Sequence, residues 1–232
     1  PLVGILCLQE CRLAPAARHL VRAALAAQGC TVLFGEVVNG HIMQATVLGR
    51  GVAHAEALPW QDAAGPVGPE SWRVQMLAVR WGPLADPTRV LVLANTYGIT
   101  GGQAGDYSVT AQPATVAARN GVLLSGDATA LRNLGAAGNE RLWLGDFNVS
   151  NPEQIPALNA LLTTTGPAGG QVLLPEDLWT FERARPPRRR KKAAADLQPA
   201  DIQVHRSRLD HAWASQRLAR YAVDAGADVP WH

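Results

Sequence analysis

Apolar and polar positions along the 232-residue chain switch between a helical and an extended period, and the switches mark out its elements. LVGILCL, residues 2–8, is an apolar run rich in branched residues that stops at Gln9 and Glu10, and it predicts a buried strand. Pro15 then suits a first helical turn, ARHLVRAALAAQG sets Leu20, Ala24 and Leu25 on an apolar stripe, and Gly29 is a stop signal, so a helix is expected. CTVLFGEVV and QATVLGRGVAHAEAL read as a strand pair separated by the turn-like NGH at 39–41. Residues 60–70 are turn chemistry. WRVQMLAVRW alternates as a strand with one polar face, and DPTRVLVLANTYG enters a second strand through a turn, which predicts a hairpin over 72–97.

GITGGQAGDYS, residues 98–108, is a glycine-rich loop that matches neither nucleotide-binding spacing: no Lys-Ser/Thr follows it, and no helix opens where a dinucleotide fingerprint requires one. Residues 112–138 are Ala/Leu-rich and predict a long helix, RLWLGDFN the next strand, and NPEQIPALNALLTTTG a helix after a Pro-interrupted loop. The stretch from VLLPEDLWTF to LQPADIQ is loop-like, SRLDHAWAS predicts a last strand, and QRLARYAVDAG a short closing helix. No internal repeat is evident. Hairpins mixed with helices, without strict strand–helix alternation, point to one sheet-rich α/β domain over 1–232 with helices covering layered sheets.

Composition narrows this picture. At 47% hydrophobic residues the chain can bury one sizeable core. No apolar run has the length of a membrane helix, and no secretory leader is seen, so the expectation is a protein free of the membrane. Cys7, Cys11 and Cys30 are odd in number and lack the second Cys/His pair of a zinc site; they read as thiols of a reducing, intracellular compartment. A net charge of +2 is too mild to imply nucleic acid. It is uneven, however: PPRRRKK at 186–192 concentrates five cations inside an expected flexible basic loop, 182–205. The commoner role of such a run is a solvated loop, and its functional role would be attraction of phosphate.

Four predicted strand ends finish on polar side chains: Gln9-Glu10, Asn95 with Tyr97, Asp146 with Asn148, and Asp210-His211. Strand residues two apart share a face, so Asn95 and Tyr97 point one way, as do Asp146 and Asn148. One Asp after a Gly is usually a turn former or helix cap. Several such ends side by side would instead form a polar cleft, and carboxylates, a phenol and amides together suit a divalent cation and a phosphate.

LQE at 8–10, NTY at 95–97, GDFN at 145–148 and SRLDH at 207–211 resemble, in order and approximate spacing, the successive signatures of the endonuclease/exonuclease/phosphatase superfamily. The resemblance runs over nearly the whole chain. It implies a four-layered α/β sandwich of two packed mixed sheets flanked by helices, and Mg²⁺-dependent (or Mn²⁺-dependent) hydrolysis of a phosphoester. By position Glu10 would ligate the metal, Asp146 would orient or deprotonate the attacking water, and Asn148 would hold a phosphate oxygen. Tyr97 would lie near the scissile phosphate and Asp210 would pair with a histidine. Asn95 and the basic residues Arg188, Arg189 and Arg190 are the expected substrate contacts, with nucleic acid as the partner.

Two departures from the family pattern stand out. The chain opens on Pro1 and enters its apolar run at once, so it reads as a piece of a longer product without the family's opening strand and the Asn that strand carries. The usual closing Ser-Asp-His is replaced by DVPWH, which makes His232 the candidate catalytic histidine and puts Trp231 in the place of the Asp. His211 adjoins Asp210, but neighbouring strand residues face opposite ways, so it should point away from the cleft. His54 reads as a strand residue. Trp179 and Phe181 are conceivable base-stacking residues. Three functions follow: a Mg²⁺-dependent nucleic-acid phosphodiesterase, an endonuclease of repair or mobile-element type; a small-molecule phosphoesterase of the same fold; or a catalytically silent relative.

Overall fold

The structure, a computed structural model, describes residues 4–59, 70–81, 90–101, 115–136, 138–149, 155–163, 169–172, 181–185, 203–207 and 210–220. His232, Trp231, Trp179 and Arg188, Arg189 and Arg190 lie outside them. Strands β1 (Ile5–Leu8), β2 (Thr31–Phe34) and β5 (Ala45–Leu48) form an antiparallel sheet in the order β1-β5-β2, and a hairpin of β3 (Val37–Val38) and β4 (His41–Ile42) turns at Asn39 and Gly40. Among the described residues the second sheet has six strands: β6 (Val52–Ala57), β7 (Val74–Trp81), β8 (Leu91–Tyr97), β9 (Glu140–Asp146), β10 (Gly170–Val172) and β13 (Asp210–Ser215), ordered β10-β13-β9-β8-β7-β6. Its β8–β9 pair is parallel and its other pairs are antiparallel. The described residues also form helices α1 (Arg18–Ala27), α2 (Val116–Ala136), α3 (Pro156–Thr163) and α4 (Gln216–Ala219) and a separate ribbon of β11 (Phe181–Arg185) and β12 (Gln203–Ser207). Among the described residues no helix is long and apolar enough to cross a membrane.

Three apolar clusters separate four layers. Leu25 of α1 packs with Cys30, Val32, Ala45 and Val47 on one face of the small sheet. Between the sheets, Leu48, Leu77, Val79 and Leu93 meet Ile5, Cys7, Leu142 and Leu144. Beyond the large sheet, Trp143, Phe147, Leu123, Leu131, Leu158 and Trp213 join it to α2 and α3. The α/β sandwich expected from the sequence is therefore present, with one difference: the small sheet is wholly antiparallel and only the large one is mixed.

Other expectations need correction. QATVLGRGVAHAEAL is not one strand, because the chain leaves the small sheet after β5 and enters the large one at β6. WRVQMLAVRW has no solvent-facing polar face over Val74–Val79; it is covered on both sides, and Gln75 is buried with its amide donating to Leu33 O at 3.0 Å. Of the stripe expected on α1, Leu20 is 63% exposed and Ala24 is exposed as well, and Leu25 is the member that packs on the sheet. The segment read as loop-like contains β11 and β12, so both ends of the 182–205 region belong to a paired ribbon, and SRLDHAWAS holds the end of one strand and all of another.

Polar groups tie the layers where apolar contact alone would leave them free to slide. Asn95 is fully buried between the sheets: Gln9 Nε2 donates to its Oδ1 at 2.6 Å, and its Nδ2 donates to Ala45 O (3.3 Å) and Thr46 Oγ1 (3.2 Å). On the opposite face, Trp143 Nε1 donates to Thr96 Oγ1 at 2.9 Å, and that hydroxyl donates to Asp127 Oδ2 of α2 at 2.6 Å. Removing one partner of a buried bond exposes the desolvation cost of the groups left behind. Asn95→Ala should lower the unfolding free energy by about 2–3 kcal/mol, read from the urea midpoint at constant m-value; an unchanged midpoint would remove Asn95 from the inter-sheet framework.

Candidate active site

The parallel register of β8 on β9 and the antiparallel register of β9 on β13 put Tyr97 opposite Asp146, and Asp146 opposite Asp210. In-register residues on paired strands face the same side, and strands lie about 4.8 Å apart, so phenol and two carboxylates form a row about 10 Å long. That face is the inter-sheet face, because Leu142 and Leu144 precede Asp146 on it and Leu91, Leu93 and Asn95 precede Tyr97. The same alternation that buries leucines in the middle of the sandwich therefore delivers polar groups to its rim. Glu10, exposed just past β1 on the other sheet, closes the group: the Tyr97 hydroxyl donates a hydrogen bond to Glu10 Oε1.

Backbone geometry at the rim is demanding. Glu10 has φ 52° and Asn148 has φ 52°, the left-handed region that costs a non-glycine residue about 1–2 kcal/mol. The chain beyond Glu10 is held by Cys11 N–H donating to Met43 O (3.0 Å) and Leu13 N–H to Ile42 O (3.1 Å). Gly145 explains the start of the GDFN signature: at φ 151°, a Cβ there would lie 2.0 Å from Thr96 O. Gly98 is equally constrained, since a Cβ would lie 2.0 Å from Phe147 O. Strain of this kind persists only where surrounding bonds over-determine it, and it clusters at functional sites.

Burial pushes the Asp146 carboxyl up to about 6; the Asn148 backbone N–H, bonded to Oδ1 at 2.9 Å, pulls it down, and the neighbouring charges of Asp210 and Glu10 push it up again. Tyr97 is raised to about 12, first by burial and then by its bond to Glu10 and that group's charge, with Arg73 opposing. A carboxylate accumulating negative neighbours in a half-buried rim has the chemistry of a cation or proton site.

Glu10, Tyr97, Asp146 and Asp210 are thus brought together. Asn148 is adjacent but buried, with Nδ2 donating to Gly98 O at 3.0 Å, so it staples the two turns that follow β8 and β9. Asn95 is a correction: it faces the same side as Tyr97, as expected, but lies one layer deeper with its amide engaged, behind the site rather than on a substrate surface. His211 points away from the cleft as expected, its Nε2 donating to Val149 O at 2.7 Å and its ring 5.1 Å from that of Phe147. His54 is an exposed strand residue 3.7 Å from Glu56.

Two residues escaped the sequence reading. Asn120 of α2, fully buried, accepts from Ile99 N–H at 2.9 Å and donates from Nδ2 to Phe147 O at 3.0 Å, bridging the same two turns as Asn148. Arg73, just before β7, donates from Nη1 to Gly98 O at 3.2 Å and lies over the Tyr97 ring. A lone Asn in an Ala/Leu-rich helix carries no local signal for such a bridge.

No family profile and no curated protein sequence matches the chain. Its fold does match solved structures. The 3′ phosphatase NExo from Neisseria, bound to a product DNA hairpin, superposes with a TM-score of 0.57 at 15% identity over 94% of this chain and 78% of that one. An AP endonuclease from Archaeoglobus fulgidus gives 0.56 at 15% identity over 95% and 79%. The human Nocturnin catalytic domain with bound sulfate gives 0.50 at 13% identity over 91% and 69%. This chain has the endonuclease/exonuclease/phosphatase fold.

Two measurements test this geometry. An acid whose pKa is raised on folding loses stability as pH climbs from the unfolded value near 4 through about 6, because the folded state then gives up a proton it holds more tightly. Asp146→Asn should therefore match wild type near pH 3.5 and exceed it by up to about 3 kcal/mol at pH 7.5; a gap that stays flat with pH means that Asp146 is not perturbed. Asn120→Ala should cost about 2–3 kcal/mol and raise amide exchange at Ile99, whereas wild-type protection there would disprove the bridge.

Proposed function

We propose that this protein is a divalent-metal-dependent phosphodiester hydrolase acting on nucleic acid, in the manner of an endonuclease. The observation that carries the reading is the register row of Tyr97, Asp146 and Asp210 facing Glu10 at one rim of the sandwich. The DNA seen with the Neisseria phosphatase and the five cations at 188–192 favour a polyanionic substrate over a small one.

The donor set suits Mg²⁺, or Mn²⁺, because it is made of hard oxygens carrying excess negative charge. Among the described residues no three His, Cys, Asp or Glu side chains form a ready-made metal cluster. That is compatible with Mg²⁺, which takes one or two carboxylates and completes its shell with water and substrate phosphate. Glu10 would hold it. When bound, the ion neutralises charge on the phosphoryl oxygens and on the departing oxygen.

The chain's own residues supply the rest. Asp146, with a carboxyl raised to about 6, is ionised near neutrality and basic enough to orient a water and accept its proton as the water oxygen bonds to phosphorus. The P–O ester bond breaks and the leaving oxygen takes a proton; His232, partnered by Asp210, is our assignment for that step. Tyr97 bonds Glu10 through its hydroxyl and fixes the carboxylate in one orientation. Asn148 spends one amide hydrogen on Gly98 O and has a second to offer a phosphate oxygen without adding charge. Arg188, Arg189 and Arg190 are our assigned backbone-phosphate contacts.

The test is nicking of supercoiled plasmid with Mg²⁺ and with EDTA. Nicking should require the metal, and Asp146→Ala should lower it by at least about 10³-fold; cleavage insensitive to EDTA or to the variant refutes the mechanism. Turnover of soluble phosphoesters by a protein without affinity for DNA would move the substrate class. Calorimetric Mg²⁺ binding that is absent from wild type, or unaltered in Glu10→Ala, would mark a silent relative.

A further inference from the structure

The site collects carboxylates, and the cation that meets it is one the hydrolytic reading leaves without a role. Arg73 is the only cation that stacks on Tyr97 among the described residues: its guanidinium carbon lies 5.0 Å from the Tyr97 ring centroid and 4.2 Å from that of Trp72, and the two rings are 6.3 Å apart. A planar ion resting against two tilted aromatic rings at once is attracted to both. The same guanidinium donates from Nη1 to Tyr97 O (3.5 Å) and Gly98 O (3.2 Å), the last carbonyl of β8 and the one that follows it. From Nε it donates to Glu70 Oε2 at 2.7 Å. The Arg73 side chain is 14% exposed, so few alternative conformers are open to it.

Glu70 does not neutralise Arg73 alone. It also bonds Arg119, whose side chain is 45% exposed, so the three-residue cluster keeps one positive charge net beside the acidic rim. Burial works to raise the Glu70 carboxyl, but the hydrogen bonds and charges of Arg73 and Arg119 outweigh it and hold the carboxyl below its ordinary value. The cluster therefore stays charged at neutral pH.

We propose that Arg73 is a positioning residue of this site: resting against both Trp72 and Tyr97 and bonded to the backbone at the end of β8, it holds the phenol in line with Glu10. The fork geometry is what a lysine cannot copy, because the ammonium has no plane to stack and its donors radiate from one atom, whereas Arg73 bonds Glu70 from Nε and the carbonyls from Nη1. Nothing in the contacts brings Arg73 to substrate. Its effect runs through Tyr97, and through Tyr97 to Glu10.

The inference rests on the hydrolytic reading for its kinetic arm only. In protein labelled with ¹³C-tyrosine, with Tyr97 assigned by Tyr97→Phe, Arg73→Met should shift and broaden the Tyr97 ring signals. Arg73→Lys should give the same change, and Glu70→Gln, which loosens the guanidinium, a smaller one. In plasmid or oligonucleotide hydrolysis, Arg73→Met should lower kcat by roughly 10- to 100-fold with KM moved by less than about twofold. Wild-type Tyr97 signals in Arg73→Met overturn the proposal, as does a loss confined to KM. Should Arg73→Met fail to fold, Arg73→Lys and Glu70→Gln decide by the same signals. If wild type hydrolyses no phosphoester, the hydrolytic reading fails while the tyrosine signals still decide the role of Arg73.

Discussion

Two close backbone contacts at the carboxyl ends of β8 and β9 govern the site. Gly145 lets the chain pass within reach of the Thr96 carbonyl, and Gly98 N–H donates to Asp146 O at 2.6 Å. Together they lock the parallel register that sets Tyr97 beside Asp146, and the antiparallel neighbour then adds Asp210. A slip of one residue would turn each of these groups to the α2 face, where Trp143, Phe147 and His211 now pack. Packing and chemistry are thus one constraint, because the pattern that hides Leu142 and Leu144 between the sheets places Asp146 at their rim.

The second sheet contributes through polar bridges. Asn95 joins Gln9 on the small sheet, and one layer nearer solvent Tyr97 joins Glu10. These are neighbouring links between the same two strand ends, two residues apart on β8 and one apart past β1, the inner one dry and structural and the outer one at the site. The left-handed backbone at Glu10 turns its carboxylate back toward the phenol, at a conformational cost that the bonds of Cys11 and Leu13 offset. Behind the large sheet, Asn120 and the Thr96–Asp127 contact brace the turns from the helical side. The rim is therefore held from three layers, which is the pre-organisation an anionic reaction centre needs.

Much of this was legible in the letters. Strands β1, β7, β8 and β9 and helices α2 and α3 follow from apolar runs and periodicity, and the polar strand ends were visible as candidates because residues two apart share a face. His211 was correctly turned away from Asp210 by the same rule. The short ribbon β11–β12 was not visible, since FERAR and QVHRS are charged and polar and gain strand character only from pairing with each other. Arg141 was equally opaque: it sits in an apolar strand and is fully buried, donating to Leu131 O of the preceding helix at 3.3 Å and to Gly169 O, just before β10, at 3.2 Å.

Sequence alone determined the α/β class, the main strands and the acids and amides that end them, because these depend on local period and residue chemistry. It could not separate Asn95 from Tyr97, two polar residues on one face of one strand, since the difference between them is depth beneath a second sheet. It was silent on Asn120 and Arg73, whose roles exist only where segments far apart along the chain come within bonding distance. Side-chain periodicity is a property of neighbours in sequence; burial, charge balance and the register of one strand on another are properties of the folded whole.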